Sequence, residues 1–146
     1  MHAKSFFDTN LWIYLFLKSE DKGDQKKHTV VKNLLTRQPH IVISTQVLNE
    51  FSNVMLSKYR VASGVVSSYI ESIISMAEIR LLTEHETIKA LRLKSKFSIS
   101  FYDALIVASA LEANTDTLYS EDMQTGLSIE NKLTIVNPFL TEIHSL

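Results

Sequence analysis

Four acidic residues stand where an α/β chain gathers its chemistry: Asp8, Glu50, Asp103 and Asp122. Asp8 follows the apolar stretch Phe6-Phe7, and Asp122 comes just after Leu118-Tyr119. In open α/β sheets the ligand crevice lies beyond the carboxyl ends of the strands, so both are candidates for one crevice. Glu50 lies six residues after Ser44, a helix-capping residue type, and so nearly two turns into a helix. At roughly 100° per residue it sits about 100° from the centre of that helix's apolar face, at the border of the buried stripe. Asp103 falls in the first turn of a helix that is apolar nearly all round, where the helix terminus favours negative charge. Singly, each acid has an ordinary reading. Asp8 caps a helix, Glu50 is a solvated helix position, Asp103 completes a capping box begun by Ser100, and Asp122 is a turn residue. Together they would repel one another and raise their own pKa values. A hard divalent cation, Mg²⁺ or Mn²⁺, resolves that conflict, because it takes oxygen ligands and keeps several waters. Such a site suits phosphodiester hydrolysis. The ion activates a water and stabilises the leaving oxygen; two-ion versions hold their ions roughly 3.5–4 Å apart.

Other chemistries find little support. The five histidines (His2, His28, His40, His85 and His144) have no metal-ligand spacing, and the position four residues after His85 is Lys89. There is no cysteine, which removes disulfides, thiolate nucleophiles and cysteine zinc sites. Three glycines form neither a G-x-G-x-x-G nor a G-x-x-x-x-G-K loop, and no G-x-S-x-G elbow occurs. Phe6, Phe7, Trp12, Tyr14 and Phe16 read as core rather than as a base-stacking surface. Lys26-Lys27 and the run Arg92, Lys94, Lys96 read as solvated helix faces, with phosphate tracking as their alternative. The net charge of −1 is not the basic surplus of a nucleic-acid binder. Setting the four acids aside leaves 12 acidic against 15 basic residues, which restores a modest surplus to the remaining surface.

The elements that must position the acids alternate between strand and helix. Strands are expected at 4–7, 41–43, 79–82, 116–120 and 133–137. Helices are expected at 9–18, 24–37, from Ser44 onward, 65–77, after Thr83 and from about residue 100, with a short one near 122–126. Residues 18–25 read as a loop, and Gly64 as the break between two helices. Thr83 and Glu86 form a capping box, with Glu84 early and Arg92, Lys94 and Lys96 late in that helix, as the macrodipole prefers. The pattern predicts an α/β fold with a central parallel sheet of about five strands and helices on both faces. At 146 residues one domain spanning 1–146 is expected, long enough for a full core. The longest apolar runs fall short of the ~20 residues of a membrane span, and no signal-peptide pattern opens the chain, so the expectation is a cytoplasmic protein.

The stretches FFDTNLWIY, STQVLNEFSNV, SFYDALIVASALEA and LYSEDMQTG resemble, in that order, the four acidic motifs of PIN-domain nucleases. The likeness is greatest to VapC-type toxins of bacterial toxin–antitoxin pairs, and it runs to the closing LTIVNPF. The resemblance implies a Mg²⁺- or Mn²⁺-dependent endoribonuclease whose metal-site acids are Asp8, Glu50, Asp103 and Asp122. It further implies that Thr9, Asn10 and Ser120 support those acids, and that Glu121 flanks or substitutes for the fourth. It implies an RNA substrate, a small antitoxin partner and a homodimer. Two readings compete: a non-catalytic RNA- or partner-binding domain of the same fold, and a DNA nuclease. A phosphoryl-accepting receiver domain fits less well. It wants adjacent acids after the first strand and a lysine after a late one, whereas Thr9-Asn10 follows Asp8 and TIVNPF has no lysine.

Overall fold

The computed structural model describes residues 3–140; His2 and His144 lie outside them. In chain order the elements are β1 (Ser5–Phe7), α1 (Thr9–Phe16), α2 (Lys22–Arg37), β2 (Ile41–Ser44), α3 (Thr45–Ser57) and α4 (Ser63–Met76). They continue with β3 (Glu78–Arg80), α5 (Glu84–Lys96), α6 (Phe101–Glu112), β4 (Thr117–Tyr119), β5 (Ser128–Ile129) and β6 (Leu133–Val136). Helical backbone resumes at 138–140.

Every residue of β1 and β2 is buried. That is the signature of parallel strands covered on both faces, which read as continuous apolar runs rather than as alternation. The sheet order is β3-β2-β1-β4-β6-β5. Four pairings are parallel, and β5 joins β6 antiparallel. From β1 the chain steps outward through β2 to β3, then returns to place β4 on the other side of β1. Right-handed crossovers in opposite directions put α1–α4 on one face and α5–α6 on the other. The reversal makes the β1/β4 boundary a topological switch point, with its crevice at the carboxyl ends of those strands.

The core sits beneath that crevice. Phe6, Phe7, Trp12, Ile43, Phe51 and Leu118 are completely buried. The Phe7 ring lies 5.6 Å from Trp12 of α1 and 5.5 Å, edge-on, from Tyr119 of β4. Every residue from Ala104 to Leu111 of α6 is buried, as its apolar composition requires. No helix among the described residues is long and apolar enough to cross a membrane.

Several boundaries depart from expectation, each for a local reason. There are six strands rather than about five. The extra one, β5, is made by a reversal in which Glu130 and Asn131 have φ of 55° and 54°. Lys132 N–H closes this turn onto Ile129 O at 3.0 Å. Two positive φ values in succession give a type I′ hairpin, but a glutamate at the first of them carries no turn signal. The helix expected near 122–126 does not form; Gly126 turns at φ 86° and its N–H donates to Ile135 O at 2.7 Å. Helix α2 begins at Lys22, inside the expected loop, because the Asp21 side chain accepts from Asp24 N–H at 3.0 Å. Gly64 lies in the first turn of α4; the break comes earlier, where Arg60 turns at φ 55°. Ser44 occupies the cap position of α3 but makes no side-chain cap bond.

The expected capping box of α5 is present. Thr83 Oγ1 accepts from His85 N–H at 3.2 Å, and Glu86 Oε1 accepts from Thr83 N–H at 2.9 Å. Thr83→Ala removes the first of these bonds, and the expected loss is about 1 kcal/mol of stability. Urea denaturation checks it, with a lower midpoint at unchanged slope as the expected result.

Candidate active site

Asp8 ends β1 and opens α1 in the same step. Its N–H donates to Tyr119 O of β4 at 3.0 Å, which extends the central ladder by one residue. Its Oδ1 accepts from Thr9 N–H at 2.7 Å, and its Oδ2 accepts from the Ser120 hydroxyl at 2.8 Å. Asp8 is thus both the cap of α1 and a carboxyl fixed at the switch point, only 5% exposed. Burial pushes its pKa up to about 7; the bonds from Ser120 and Thr9 oppose this, while the charges of Glu50 and Asp103 add to it.

The other three acids surround it. Glu50 is half-buried, with Oε1 accepting from the Thr9 hydroxyl at 2.8 Å and Oε2 from Gln46 Nε2 at 3.3 Å. Asp122 is exposed, and its Oδ2 accepts from Asn10 Nδ2 at 2.9 Å. Asp103 is half-buried in the first turn of α6, where its N–H donates to Ser100 Oγ at 3.1 Å. Its pKa is raised by burial, a hydrogen bond with Ser100 opposing, and by the charges of Asp122 and Glu50. Thr9 bonds both Asp8 and Glu50, Ser120 bonds Asp8, Asn10 bonds Asp122, and Gln46 joins Glu50 to the carbonyl of Tyr102 beside Asp103, so the four acids neighbour one crevice. Thr9, Asn10 and Ser120 each hold an oxygen of a different acid.

Glu121 lies elsewhere. Its carboxylate accepts from the Tyr14 hydroxyl at 2.8 Å and pairs with Lys27 of α2. The Lys27 ammonium also stands 4.8 Å over the Tyr14 ring and 5.4 Å over that of Phe139. Lys27 is therefore engaged and half-buried, whereas Lys94 stays exposed as expected while donating to Ile99 O at 2.9 Å. Gln46, which holds Glu50, was not singled out by sequence reasoning; its spacing of four residues from Glu50 on one helix face was the available signal.

Among the described residues the ion pairs are Lys27–Glu121, His40–Glu78, His85–Glu112, Lys89–Glu112 and Lys89–Glu130. None involves the four crevice acids. The donor set is all oxygen and its charge is uncompensated, which fits a hard divalent cation. As placed, no group of three or more His, Asp or Glu side chains among the described residues could hold a metal ion. Both oxygens of Asp8 and of Glu50, and one of Asp122, are turned toward their hydrogen-bond donors.

A PIN-domain family model matches residues 5–124. Three solved structures share the fold. A toxin–antitoxin complex from Klebsiella pneumoniae superposes with a TM-score of 0.67 at 21% identity, over 92% of this chain and 97% of that one. VapC20 of Mycobacterium tuberculosis, described as a toxin that cleaves the sarcin–ricin loop, gives 0.64 at 20% identity, over 81% and 89%. VapBC2 of Rickettsia felis, bound to a DNA fragment from its promoter, gives 0.58 at 22% identity, over 82% and 88%. No curated protein matches the sequence.

The Asp8 carboxyl makes stability depend on pH. Between its ordinary value of 3.8 and about 7 it is protonated in the folded chain and ionised in the unfolded one. Its contribution is therefore fully present below that window and is lost as pH rises through about 7. Asp8→Asn removes this dependence. Compared with wild type in EDTA, the variant is expected to gain stability between pH 4 and pH 8, by up to about 4 kcal/mol at roughly 1.4 kcal/mol per unit. Urea denaturation across that range checks it, and a difference that does not vary with pH overturns it.

Proposed function

The chain belongs to the PIN-domain family, and from that premise we propose that it is a divalent-cation-dependent endoribonuclease, the toxin of a toxin–antitoxin pair. One observation supports the reading: Thr9, Asn10, Ser120 and Gln46 tie Asp8, Glu50, Asp122 and the start of α6 together beside the β1/β4 switch point, and no lysine or arginine among the described residues pairs with the four acids. In this reading Asp8, Glu50, Asp103 and Asp122 hold Mg²⁺ or Mn²⁺, directly or through water. A bound ion would acidify a water and neutralise the charge that gathers on the RNA phosphate.

The chain's own groups orient the acids. Ser120 and Thr9 N–H fix the Asp8 carboxyl, the Thr9 hydroxyl and Gln46 fix Glu50, and Asn10 fixes Asp122. The N-termini of α1 and α6 carry Asp8 and Asp103 and bring partial positive charge to the crevice, which favours an approaching phosphate. The described activity of the mycobacterial neighbour supports RNA over DNA as substrate, and the toxin–antitoxin neighbours support a small antitoxin as partner. The whole chain, residues 1–146, acts as one nuclease unit, as a homodimer in the cytoplasm.

The test is cleavage of a panel of single-stranded and structured RNAs, and of matched DNAs, with Mg²⁺, Mn²⁺ or EDTA. Wild type is expected to cut RNA only with metal. Asp8→Asn and Asp103→Asn are expected to lose at least about a hundredfold in rate while staying folded. Glu50→Gln is expected to weaken Mn²⁺ binding by calorimetry. Full activity in either aspartate variant overturns the site, and preferential DNA cleavage overturns the substrate. No cleavage together with no Mn²⁺ binding points instead to a non-catalytic partner-binding domain.

A further inference from the structure

Gln46 sits in the first turn of α3 and is 7% exposed. Its Nε2 donates to Glu50 Oε2 at 3.3 Å and to the backbone carbonyl of Tyr102 at 3.1 Å. Both partners are acceptors, so the orientation of the amide is determined: the NH₂ must face them. Oε1 is then turned away, buried and without a hydrogen-bond partner among the described residues.

The two bonds of the NH₂ group join the two halves of the crevice. Gln46 and Glu50 are four residues apart and neighbours on one face of α3. Tyr102 immediately precedes Asp103 in α6. Helices α3 and α6 follow different crossovers and pack on opposite faces of the sheet, and each brings one acid to the same crevice. Those two acids repel. Among the described residues, Gln46 is the side chain that bonds both to a crevice acid on α3 and to the backbone of α6.

We infer that Gln46 is a positioning residue that holds Glu50 and Asp103 at the separation a shared cation needs. The inference rests on the reading of the acids as a cation-dependent nuclease site. A mere packing residue would not have to be an amide, whereas the NH₂ group of Gln46 meets one acceptor on each side of the crevice. Truncating the amide should therefore separate two properties that normally fall together: the fold should hold, and the ion should bind less well.

The experiment compares wild type, Gln46→Met and Gln46→Leu by thermal melting and by Mn²⁺ calorimetry on the full chain, with Glu50→Gln as reference. Both variants are expected to unfold in one cooperative transition, as wild type does. Mn²⁺ affinity is expected to fall about tenfold, the size of effect that groups orienting a ligand commonly have. The Mn²⁺ concentration for half-maximal RNA cleavage should rise by the same factor, with KM for RNA unchanged. Unchanged Mn²⁺ affinity in both Gln46 variants, where Glu50→Gln does weaken it, overturns this inference and leaves the nuclease reading standing. Loss of folding in both variants also overturns it, because the amide is then needed for the fold itself. Absence of Mn²⁺ binding in wild type overturns the nuclease reading, and this inference with it.

Discussion

Uncompensated negative charge at the carboxyl ends of β1 and β4 is the constraint around which the rest is arranged. Parallel strands whose crossovers reverse direction leave one place where loops diverge, and here that place lies between β1 and β4. Asp8 is built into it so tightly that its own N–H continues the β1–β4 ladder. It cannot move away from Glu50 and Asp103 without unpicking the sheet. The repulsion is therefore borne by the fold, and it adds to the burial that chiefly raises the pKa values of Asp8 and Asp103.

Helix placement makes that repulsion bearable. Asp8 caps α1 and Asp103 lies in the first turn of α6, so two acids sit at the positive ends of helices. Helix α3 also starts at the crevice, directly after β2, and carries Glu50 on its second turn. The N-termini of α1 and α3 follow from the topology, because in a parallel sheet the chain leaves a strand's carboxyl end to begin a helix, whereas α6 follows α5 and leads into β4. The sheet that crowds the acids thus also supplies the dipoles that partly offset the crowding. Beneath them the Phe7, Trp12 and Tyr119 rings lock β1, α1 and β4 together, which leaves the crevice floor little freedom.

What could be read from the sequence, and what could not, divides along sequence distance. Asp8 and Asp122 were legible because strand ends are local features and the crevice rule is general. Glu50 was legible from its angle on the helix, and its half-burial matches the border of the apolar stripe. At Asp103, Ser100 caps α6 by accepting from the Asp103 N–H, while the charges of Asp122 and Glu50 reach its carboxyl. The motif resemblance marked Thr9, Asn10 and Ser120 as supporting residues, but which acid each one holds was not legible. Asn10 finds Asp122 and Ser120 finds Asp8 across 112 residues, and Lys27 finds Glu121 across 94. No local pattern encodes such pairings. Ser44 failed differently: its type and position are those of a helix cap, yet its hydroxyl is buried without a hydrogen-bond partner among the described residues. The hairpin of β5 and β6 was hidden because Glu130 accepts a backbone conformation that its type rarely adopts.

The identity of the groups that hold the acids completes the electrostatic logic. Thr9, Asn10, Gln46 and Ser120 are all uncharged. Each satisfies a carboxylate oxygen without cancelling its charge. A lysine could have made the same bonds, and one is within reach of the neighbouring residue, since Lys27 pairs with Glu121, the residue just before Asp122. The chain keeps that ammonium on Glu121, between the rings of Tyr14 and Phe139, and gives Asp122 a neutral amide instead. Two adjacent acids thus receive opposite treatment. Glu121 is neutralised and ties α2 to the loop after β4; Asp122 is oriented but left charged. Among the described residues Asp122 has no cationic partner, and neither have Asp8, Glu50 and Asp103.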